Sequence, residues 1–481
     1  MRKKFAINLA FIFVANLLVK PFWIFGIDRV VQNKFGPEVY GTYFAVFNYS
    51  FLLSIILDFG INNFNNRAVS RNHKRLGEYL LNLLTVKTVL AIIYFVFTLL
   101  WALYIGYKEQ QITMLVFLAI NQILLSIILY FRSNIAALQL FKTDSIISVL
   151  DRLFVIIFCM VLMHLPVFKD SFSIMWFIYA QTAGLFITAL IAFGVIMSRG
   201  KLQFALWKPR FTSMILLKSM PFAMLALLMG IYYRIDAVMI ERMLPNGATE
   251  AGIYAASFRL LDAVNMFGYL FATLLLPMFA GMIRRNEMTR SLVKFSSELM
   301  FAFAVIVSLD CYFFRNEIMQ LLYHNSTPYW SKIFGWLMVN FIPMSSIYIF
   351  GTLLTARGNL KVLNIIAIGG VVVNVGLNLY MIPHYGALGA TVATVITQFA
   401  AAGAHIIATN RQFGFSYDVK DALRISTFTL LSLATLFLIK MFALPWMLSL
   451  AIATAICALI ASVIKLVPFS EVLSLLRSRA T

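Results

Sequence analysis

Four basic residues lie inside stretches that are otherwise apolar, namely Lys87 and three at a similar depth, Lys20, Arg234 and Arg259. At ~1.5 Å per helical residue, Lys20 and Arg234 both lie ~21–23 Å from the same end of their stretches, and Arg259 lies ~8 Å from the opposite end. Cations inside an apolar span are costly and mark polar, hydrated sites. Because guanidinium and ammonium groups bind phosphate oxygens, we expect these three to hold an anionic phosphate or diphosphate headgroup.

Each of these cations also has a simpler interpretation. Lys20 could extend its side chain to the outer headgroups. Asp262, three residues after Arg259, could neutralise it on the same helix face. Asp236, two residues after Arg234, points to a different face, so local pairing is less easy there. Arg234 is therefore the principal candidate for the anion site.

Neutral and acidic residues complete the candidate site. Sugars need amide and hydroxyl partners and aromatic faces, which Asn48 and Tyr233 could supply. Lys87, near the inner end of its stretch, is expected to snorkel to the headgroups. An acid inside an apolar span faces protein or water, so the acids are candidates for gating or ion coupling. These acids are Asp58, Asp236 and, with nothing to rank it, Asp310.

Motifs of enzymes and of metal sites are absent from the sequence. There is no phosphate-binding loop ending in Gly-Lys-Ser/Thr, no His-Glu-x-x-His and no Gly-x-Ser-x-Gly. The five His are scattered, and the three Cys are far apart without metal-ligand spacing. We therefore predict no catalytic residues, no metal and no cofactor, and we predict that the protein is not an enzyme.

The elements that must position these residues are membrane-spanning helices. The chain is 62% hydrophobic and 12% charged, whereas a soluble domain is about 25% charged. Apolar runs long enough for a ~30 Å bilayer core predict an all-α membrane protein with about 14 transmembrane helices. Their predicted bounds are 6–26, 39–60, 81–105, 112–131, 146–165, 173–197, 219–240, 254–280, 293–314, 333–356, 362–382, 387–409, 423–442 and 445–465.

Basic residues predict the orientation of these helices. Most of the 39 Lys and Arg residues fall in segments on one side of the predicted spans, and that side is cytoplasmic by the positive-inside rule. Both termini are then cytoplasmic. The net charge of +20 is mainly topological, so we predict no nucleic-acid partner.

A weak internal repeat predicts two halves. Gly41-Thr42-Tyr43 opens the second span and Gly252-Ile253-Tyr254 the eighth, 211 residues later. Residues 137–142 follow the fourth span and the similar residues 356–361 follow the tenth, 219 residues later. We predict two six-helix halves related by a pseudo-twofold axis along the membrane normal, followed by two extra helices. The predicted domains are 1–218, 219–421 and 422–481.

Several motifs resemble those of one family of transporters. They are FGPEVYGTY at 35–43, DFGINNFNNR at 58–67, YYRID at 232–236, AGIYAA at 251–256 and IPHYGALGAT at 382–391. Together they resemble the bacterial polysaccharide exporters, which are oligosaccharide-lipid flippases of the multidrug/oligosaccharidyl-lipid/polysaccharide exporter superfamily.

The resemblance implies a function and partners. It implies an inner-membrane flippase that moves a polyprenyl-diphosphate-linked oligosaccharide by alternating access. The cargo would be an O-antigen or a capsule or exopolysaccharide repeat unit. Membrane lipids, a polysaccharide polymerase and a chain-length regulator would be its partners, and the flippase would act as a monomer.

Two other functions remain open. A cation-coupled drug exporter of the same superfamily would need in-span carboxylates for a cationic drug, and the in-span cations disfavour it. A membrane polysaccharide polymerase or glycosyltransferase would need a large outer loop or catalytic carboxylates, and the predicted outer loops are short.

Overall fold

The computed structural model of the protein describes residues 19, 21–71, 76–169, 171–198, 209–415, 419–442 and 444–466. Within these ranges the chain is almost entirely helical, with no β-strand. A π-helical stretch, Trp23–Asp28, opens it, and a 3₁₀ turn, Ser54–Leu57, interrupts it. The α-helices are α1 (Arg29–Leu53), α2 (Ile61–Arg71), α3 (Leu76–Tyr104), α4 (Glu109–Ala137), α5 (Phe141–His164), α6 (Pro166–Lys169), α7 (Ile174–Met197), α8 (Pro209–Met243), α9 (Gly247–Arg284), α10 (Arg290–Phe313), α11 (Arg315–Leu322), α12 (Pro328–Val339), α13 (Phe341–Arg357), α14 (Leu360–Phe413), α15 (Val419–Met441) and α16 (Trp446–Val463).

The predicted membrane fold is confirmed. Among the described residues, twelve segments are long and apolar enough to cross a bilayer. One of them, α14, has 54 residues and would be ~81 Å long if straight, but it breaks at Gly386, where φ is 62° and ψ is −142°. It therefore supplies the two predicted spans 362–382 and 387–409. The first predicted span, 6–26, lies mostly outside the described residues.

Two departures from α-helical geometry delimit the second predicted span. Gly36 has φ 73° and ψ 175° inside α1, and Pro37 starts the new helical segment at a position where a missing N–H costs nothing. At the other end the chain tightens into the 3₁₀ turn Ser54–Leu57, and Phe59 and Gly60 take φ values of 40° and 78°. The polar helix α2 then begins as a separate element.

The two turns of the weak repeat adopt the same backbone geometry. Gln139 and Gly358, 219 residues apart, have φ values of 60° and 81°. Leu140 N–H donates to the Ile135 carbonyl at 3.1 Å, and Asn359 N–H donates to the Leu354 carbonyl at 3.2 Å. This is the six-to-one bond that closes a helix end in a Schellman motif. The sequence match therefore has a structural basis.

The chain divides into two compact units, Met1–Ala255 and Ala256–Thr481. In the first unit, α2, α3, α4, α5 and α7 surround an apolar core, and α8 packs on α1. In the second unit, α10, α15 and α16 share a core of Val305, Leu309, Phe428, Leu436 and Ala453. The predicted domain limits at 218 and 421 describe the sequence repeat and stay predictions.

Candidate functional site

Arg234 lies in α8, between two aromatic rings of the first unit. Its guanidinium carbon lies 5.4 Å from the ring centre of Phe51 in α1 and 5.2 Å from that of Tyr233. All three side chains are half-buried. A guanidinium held against aromatic faces keeps its charge and its planar set of N–H donors while its position is fixed. Tyr233 therefore contacts the predicted anion-binding residue through its ring.

Two other predicted residues are fully enclosed by helix packing. Asn48 is buried in α1, and its side-chain amide donates to the Phe44 carbonyl at 2.8 Å. Asp236 is buried in α8 and accepts a hydrogen bond from the Tyr254 hydroxyl at 2.8 Å. In this conformation both side chains contact neighbouring protein.

Lys87 does not snorkel, so that prediction is wrong. It is 3% exposed, and its ammonium group donates to the Leu57 carbonyl at 3.0 Å, to Asp58 Oδ1 at 3.0 Å and to Ser126 Oγ at 2.8 Å. Because the 3₁₀ turn ends at Leu57, the Leu57 carbonyl needs a donor from another helix, and Lys87 supplies one. Asp58 balances the charge, and its carboxylate also accepts from the Asn62 N–H at 3.3 Å, in the first turn of α2.

Of the other two predicted cations, the structure describes Arg259 and not Lys20. Arg259, in α9, lies 4.0 Å from Asp262 Oδ2, three residues later, so the local pair considered from the sequence is present. Lys20 lies outside the described residues. Arg234 belongs to the first compact unit and Arg259 to the second.

Asp28 is a buried acid that was not predicted. It ends the π-helical stretch Trp23–Asp28, and it accepts from the Tyr40 hydroxyl at 2.8 and 2.9 Å and from the Gln32 amide at 3.1 Å. The pattern matches that of Asp236 and Tyr254, where a tyrosine of the following helical segment also binds a buried acid. The predicted first span ended at residue 26, two residues too early to include Asp28.

Arg152 is an unpredicted cation inside a span. It lies in α5, with its guanidinium carbon 5.4 Å from the Trp23 ring centre and its Nε 3.5 Å from Asp151 Oδ2. Trp23 in turn stacks on Phe177 at 5.8 Å. The sequence signal was available, because position 152 falls inside the predicted span 146–165.

A polar row crosses the break in α14. The Asn378 amide donates to Asn374 Oδ1 at 3.3 Å, and the Asn374 amide contacts Thr394 Oγ1 at 3.5 Å. All three side chains are buried. The four-residue spacing of the two asparagines in an apolar run was the signal for this row. Within the described part of the chain, no cluster of three or more His, Cys, Asp or Glu could hold a metal.

The two glycines of the repeated Gly-x-Tyr motif touch each other. A Cβ atom on Gly41 would lie 1.8 Å from the Ala248 carbonyl oxygen and 2.4 Å from the Gly252 nitrogen. A Cβ atom on Gly252 would lie 1.9 Å from the Pro37 carbonyl oxygen. Only glycine permits this backbone-to-backbone approach between α1 and the start of α9.

The sequence has relatives among lipid flippases. It is 23% identical over 206 residues to the lipid III flippases of Escherichia coli (strain K12) and Shigella flexneri, covering 42% of this chain and 49% of each relative. The chain thus aligns with about half the length of these curated relatives.

Solved transporters share its fold. The structure of the lipid II flippase MurJ in an inward closed conformation matches with a TM-score of 0.71 at 15% identity, covering 96% of this chain and 99% of that one. An inward-facing multidrug resistance MATE family transporter of the MOP superfamily matches with a TM-score of 0.65 at 15% identity, over 83% and 94%. At this identity the matches show a shared fold, which is the fold that the predicted resemblance implied.

The family model described as polysaccharide biosynthesis protein matches residues 6–283, which is more than half of the chain. Its span includes Arg234, Asp58 and both motif glycines. The chain therefore belongs to the polysaccharide biosynthesis protein family.

Proposed function

We propose that the protein is a flippase for a polyprenyl-diphosphate-linked oligosaccharide, an O-antigen or a capsule or exopolysaccharide repeat unit, in the bacterial inner membrane. The observation that carries the proposal is Arg234, a cation inside an apolar helix and held by the rings of Phe51 and Tyr233. The family membership and the lipid flippases among the similar proteins support it.

Arg234 would bind the diphosphate. Its planar guanidinium can offer two parallel N–H donors to phosphate oxygens, and the flanking rings limit its rotation before the ligand arrives. Lys20 and Arg259 would add positive charge, and the Asp262 carboxylate would weaken the contribution of Arg259. The lipid tail would stay in the bilayer while alternating access moves the headgroup.

The other predicted residues take proposed roles that their contacts support. Tyr233 would orient Arg234 through its ring and contact a sugar, and Asn48, which here donates to the Phe44 carbonyl, would turn its amide to a sugar when the substrate binds. Asp58 and Asp236 would act in gating, because each holds a contact between two helical segments that a conformational change would have to alter. Both termini would be cytoplasmic, and a polymerase and a chain-length regulator would act on the exported unit. The flippase itself would be a monomer.

A cation-coupled drug exporter is the second candidate. The buried acids Asp28 and Asp236 favour it, since a cationic drug needs carboxylates, and a multidrug transporter shares the fold. The two functions differ in the cargo that Arg234 tolerates, because a guanidinium repels a cationic drug and attracts a diphosphate.

The test uses purified protein in liposomes with a labelled lipid-diphosphate-linked oligosaccharide. Arg234→Ala should abolish flipping, and Arg234→Lys should restore part of it because the charge survives without the fork. Arg285→Ala is the matched control, since Arg285 is exposed and paired with Glu287. Flipping at the normal rate by Arg234→Ala would refute the proposed role of Arg234. Export of a cationic dye without lipid flipping would favour the second candidate.

A further inference from the structure

A groove of about 470 Å³ follows one face of α4 near the turn that joins α3 to α4. Leu103 of α3 and Tyr107 of the turn line it, and so do residues of α4 that recur at helical spacing and share one face of the helix. These are Glu109, Ile112, Thr113, Val116 and Phe117. With the N-terminus in its predicted cytoplasmic position, this turn lies on the outer side. The groove belongs to the first compact unit.

The length and the opening of the groove fit one acyl chain. Glu109 and Phe117 are eight residues apart, so the groove extends ~12 Å along α4, and one leaflet supplies about half of a ~30 Å hydrocarbon core. At the deep end, the Phe117 ring packs edge-on against Tyr179 of α7, with 4.7 Å between ring centres. Leu103 and Thr113 are exposed in segments that can cross a bilayer. A lipid chain of this leaflet can therefore enter from the side.

Aromatic side chains mark the level of the headgroups at the mouth of the groove. Trp101 and Tyr104 are exposed at the end of α3, and Trp176 is exposed near the start of α7. Exposed tryptophan and tyrosine residues are typical of the membrane–water interface. Glu109 therefore lies where a phospholipid headgroup would lie.

Two residues of opposite charge stand next to each other at the mouth. Lys108 precedes α4, Glu109 is the first residue of α4, and both are exposed. Neither forms an ion pair with another residue of the described ranges. Lys108 and the N-terminus of α4 favour a phosphate, and the Glu109 carboxylate favours an ammonium group. A headgroup that carries both charges complements this pair.

The headgroup, rather than the chain, would decide which lipid binds. Inside a bilayer an acyl chain leaves other chains that are as apolar as Leu103 or Val116, so the apolar wall accommodates the chain with little gain in free energy. Phosphatidylethanolamine offers an ammonium group to Glu109. Phosphatidylglycerol and polyprenyl phosphates have no such group, and their negative charge would be repelled by the carboxylate.

The groove is also connected to the end of α8. The Tyr107 ring centre lies 4.7 Å from the guanidinium carbon of Arg242, and Arg242 donates to the Ile105 carbonyl. The Gln111 amide donates to Glu241 Oε1 at 2.7 Å. A lipid that orders the turn between α3 and α4 would therefore also stabilise this end of α8.

We propose that the groove along α4 binds one phosphatidylethanolamine molecule and that the bound lipid stabilises the contacts of the turn with α8. The acyl chain follows α4 from Glu109 to Phe117, the ammonium group contacts Glu109, and the phosphate lies beside Lys108. This site is separate from the proposed anion site at Arg234, and lipid binding there does not depend on which cargo the protein moves.

Native mass spectrometry of the purified, delipidated protein measures the binding directly. Phosphatidylethanolamine and phosphatidylglycerol with the same chains are added in equal amounts, and the first bound lipid is identified. The wild type should prefer phosphatidylethanolamine about fivefold, which is the contribution of one partly exposed ion pair. Equal binding of the two lipids overturns the proposal. Displacement of phosphatidylethanolamine by an equal amount of polyprenyl phosphate also overturns it.

Two substitutions separate the headgroup from the chain. Glu109→Gln should remove the preference, and Glu38→Gln, at an exposed acid on the same predicted side, should keep it. Thr113→Phe fills the groove and should lower the first binding about fivefold. Thr88→Phe is its control, because both threonines are exposed and donate to the carbonyl four residues earlier at 3.0 Å. A preference retained by Glu109→Gln, or equal losses in the two phenylalanine variants, contradicts the proposed site.

Two measurements on the wild type locate the lipid and its effect. Phosphatidylethanolamine with a photoreactive group at the end of its chain should label residues 112–117, and labelling confined to other parts of the chain overturns the site. Adding phosphatidylethanolamine should slow amide hydrogen exchange in residues 105–111 and 239–243, but not in Glu109→Gln. Slower exchange in residues 105–111 alone supports the groove and overturns the effect on α8.

Discussion

Placing a methyl group on either motif glycine should separate α1 from the start of α9. A Cβ atom on Gly41 would lie 1.8 Å from the Ala248 oxygen, and ordinary contact begins at 3.4 Å, so the backbones must move apart by about 1.6 Å. Backbone cannot rotate away as a side chain can, so the overpacking cost should reach ~3 kcal/mol. Alanine recovers ~0.5–1 kcal/mol in a helix interior. The net loss of unfolding free energy should be ~2 kcal/mol.

The control substitution is predicted to change the unfolding free energy in the opposite direction. A Cβ atom on Gly230 in α8 would meet nothing within 4 Å, so Gly230→Ala should raise the unfolding free energy by ~0.5–1 kcal/mol. Reversible unfolding in mixed micelles, followed by tryptophan fluorescence, compares Gly41→Ala, Gly252→Ala and Gly230→Ala. The double variant Gly41→Ala/Gly252→Ala should cost less than the sum of the single variants, because one separation relieves both clashes. The reasoning is refuted if Gly41→Ala is as stable as the wild type while Gly230→Ala is not more stable.

Three further predictions address the break, the topology and the energy source. Lys87→Met should lower the unfolding free energy by ~1–3 kcal/mol, because the Leu57 carbonyl and the Asp58 carboxylate lose their shared donor. The substitution Thr88→Met, at the neighbouring exposed residue, should change it by less than ~0.5 kcal/mol. Equal effects of the two substitutions would argue against a stabilising role of the Lys87 contacts. A reporter active only in the cytoplasm, fused after Arg479, should be active, whereas activity of a periplasmic reporter there would mean a span count wrong by an odd number. Flipping in sealed vesicles should respond to an ion gradient or membrane potential, and flipping driven by ATP alone in purified liposomes would contradict the absence of a phosphate-binding loop.

The sequence predicted the spans well because their signals are strong and local. Long apolar runs mark the helices, and the glycine and proline residues at Gly36, Pro37 and Gly386 mark the breaks between them. The paired inner turns at Gln139 and Gly358 were also visible as a match at constant offset. These features depend on residues close in the chain, so one sequence suffices to find them.

The side-chain partners were predicted less well, because they depend on which helices meet. The depth of Lys87 along its own helix suggested that its ammonium group reaches water. The group instead donates to a carbonyl that lies 30 residues away in the sequence, at a helix break. Asn374 and Asn378 show a helical spacing, yet the spacing cannot tell whether their face meets lipid or Thr394. Tyr233 was predicted to offer a hydroxyl or an aromatic face to a sugar, and that stays a prediction; the contact of its ring with Arg234 was not foreseen.

The repeat also shows where the halves differ. An offset of 211 residues from Arg234 falls on Trp23, and the cation of the first half that the repeat predicts to correspond to Arg234, Lys20, lies three residues, or about one helical turn, before Trp23. A guanidinium nevertheless lies against Trp23, but it comes from Arg152 of α5 and has Asp151 beside it. The buried acid and tyrosine pairs, Asp28 with Tyr40 and Asp236 with Tyr254, occur in similar places. The cations do not, because Arg234 lies two residues before Asp236 whereas Lys20 lies eight residues before Asp28. A ligand with a diphosphate at one end and sugars at the other is itself asymmetric, and this unequal placement of charge suits it better than a symmetric cargo.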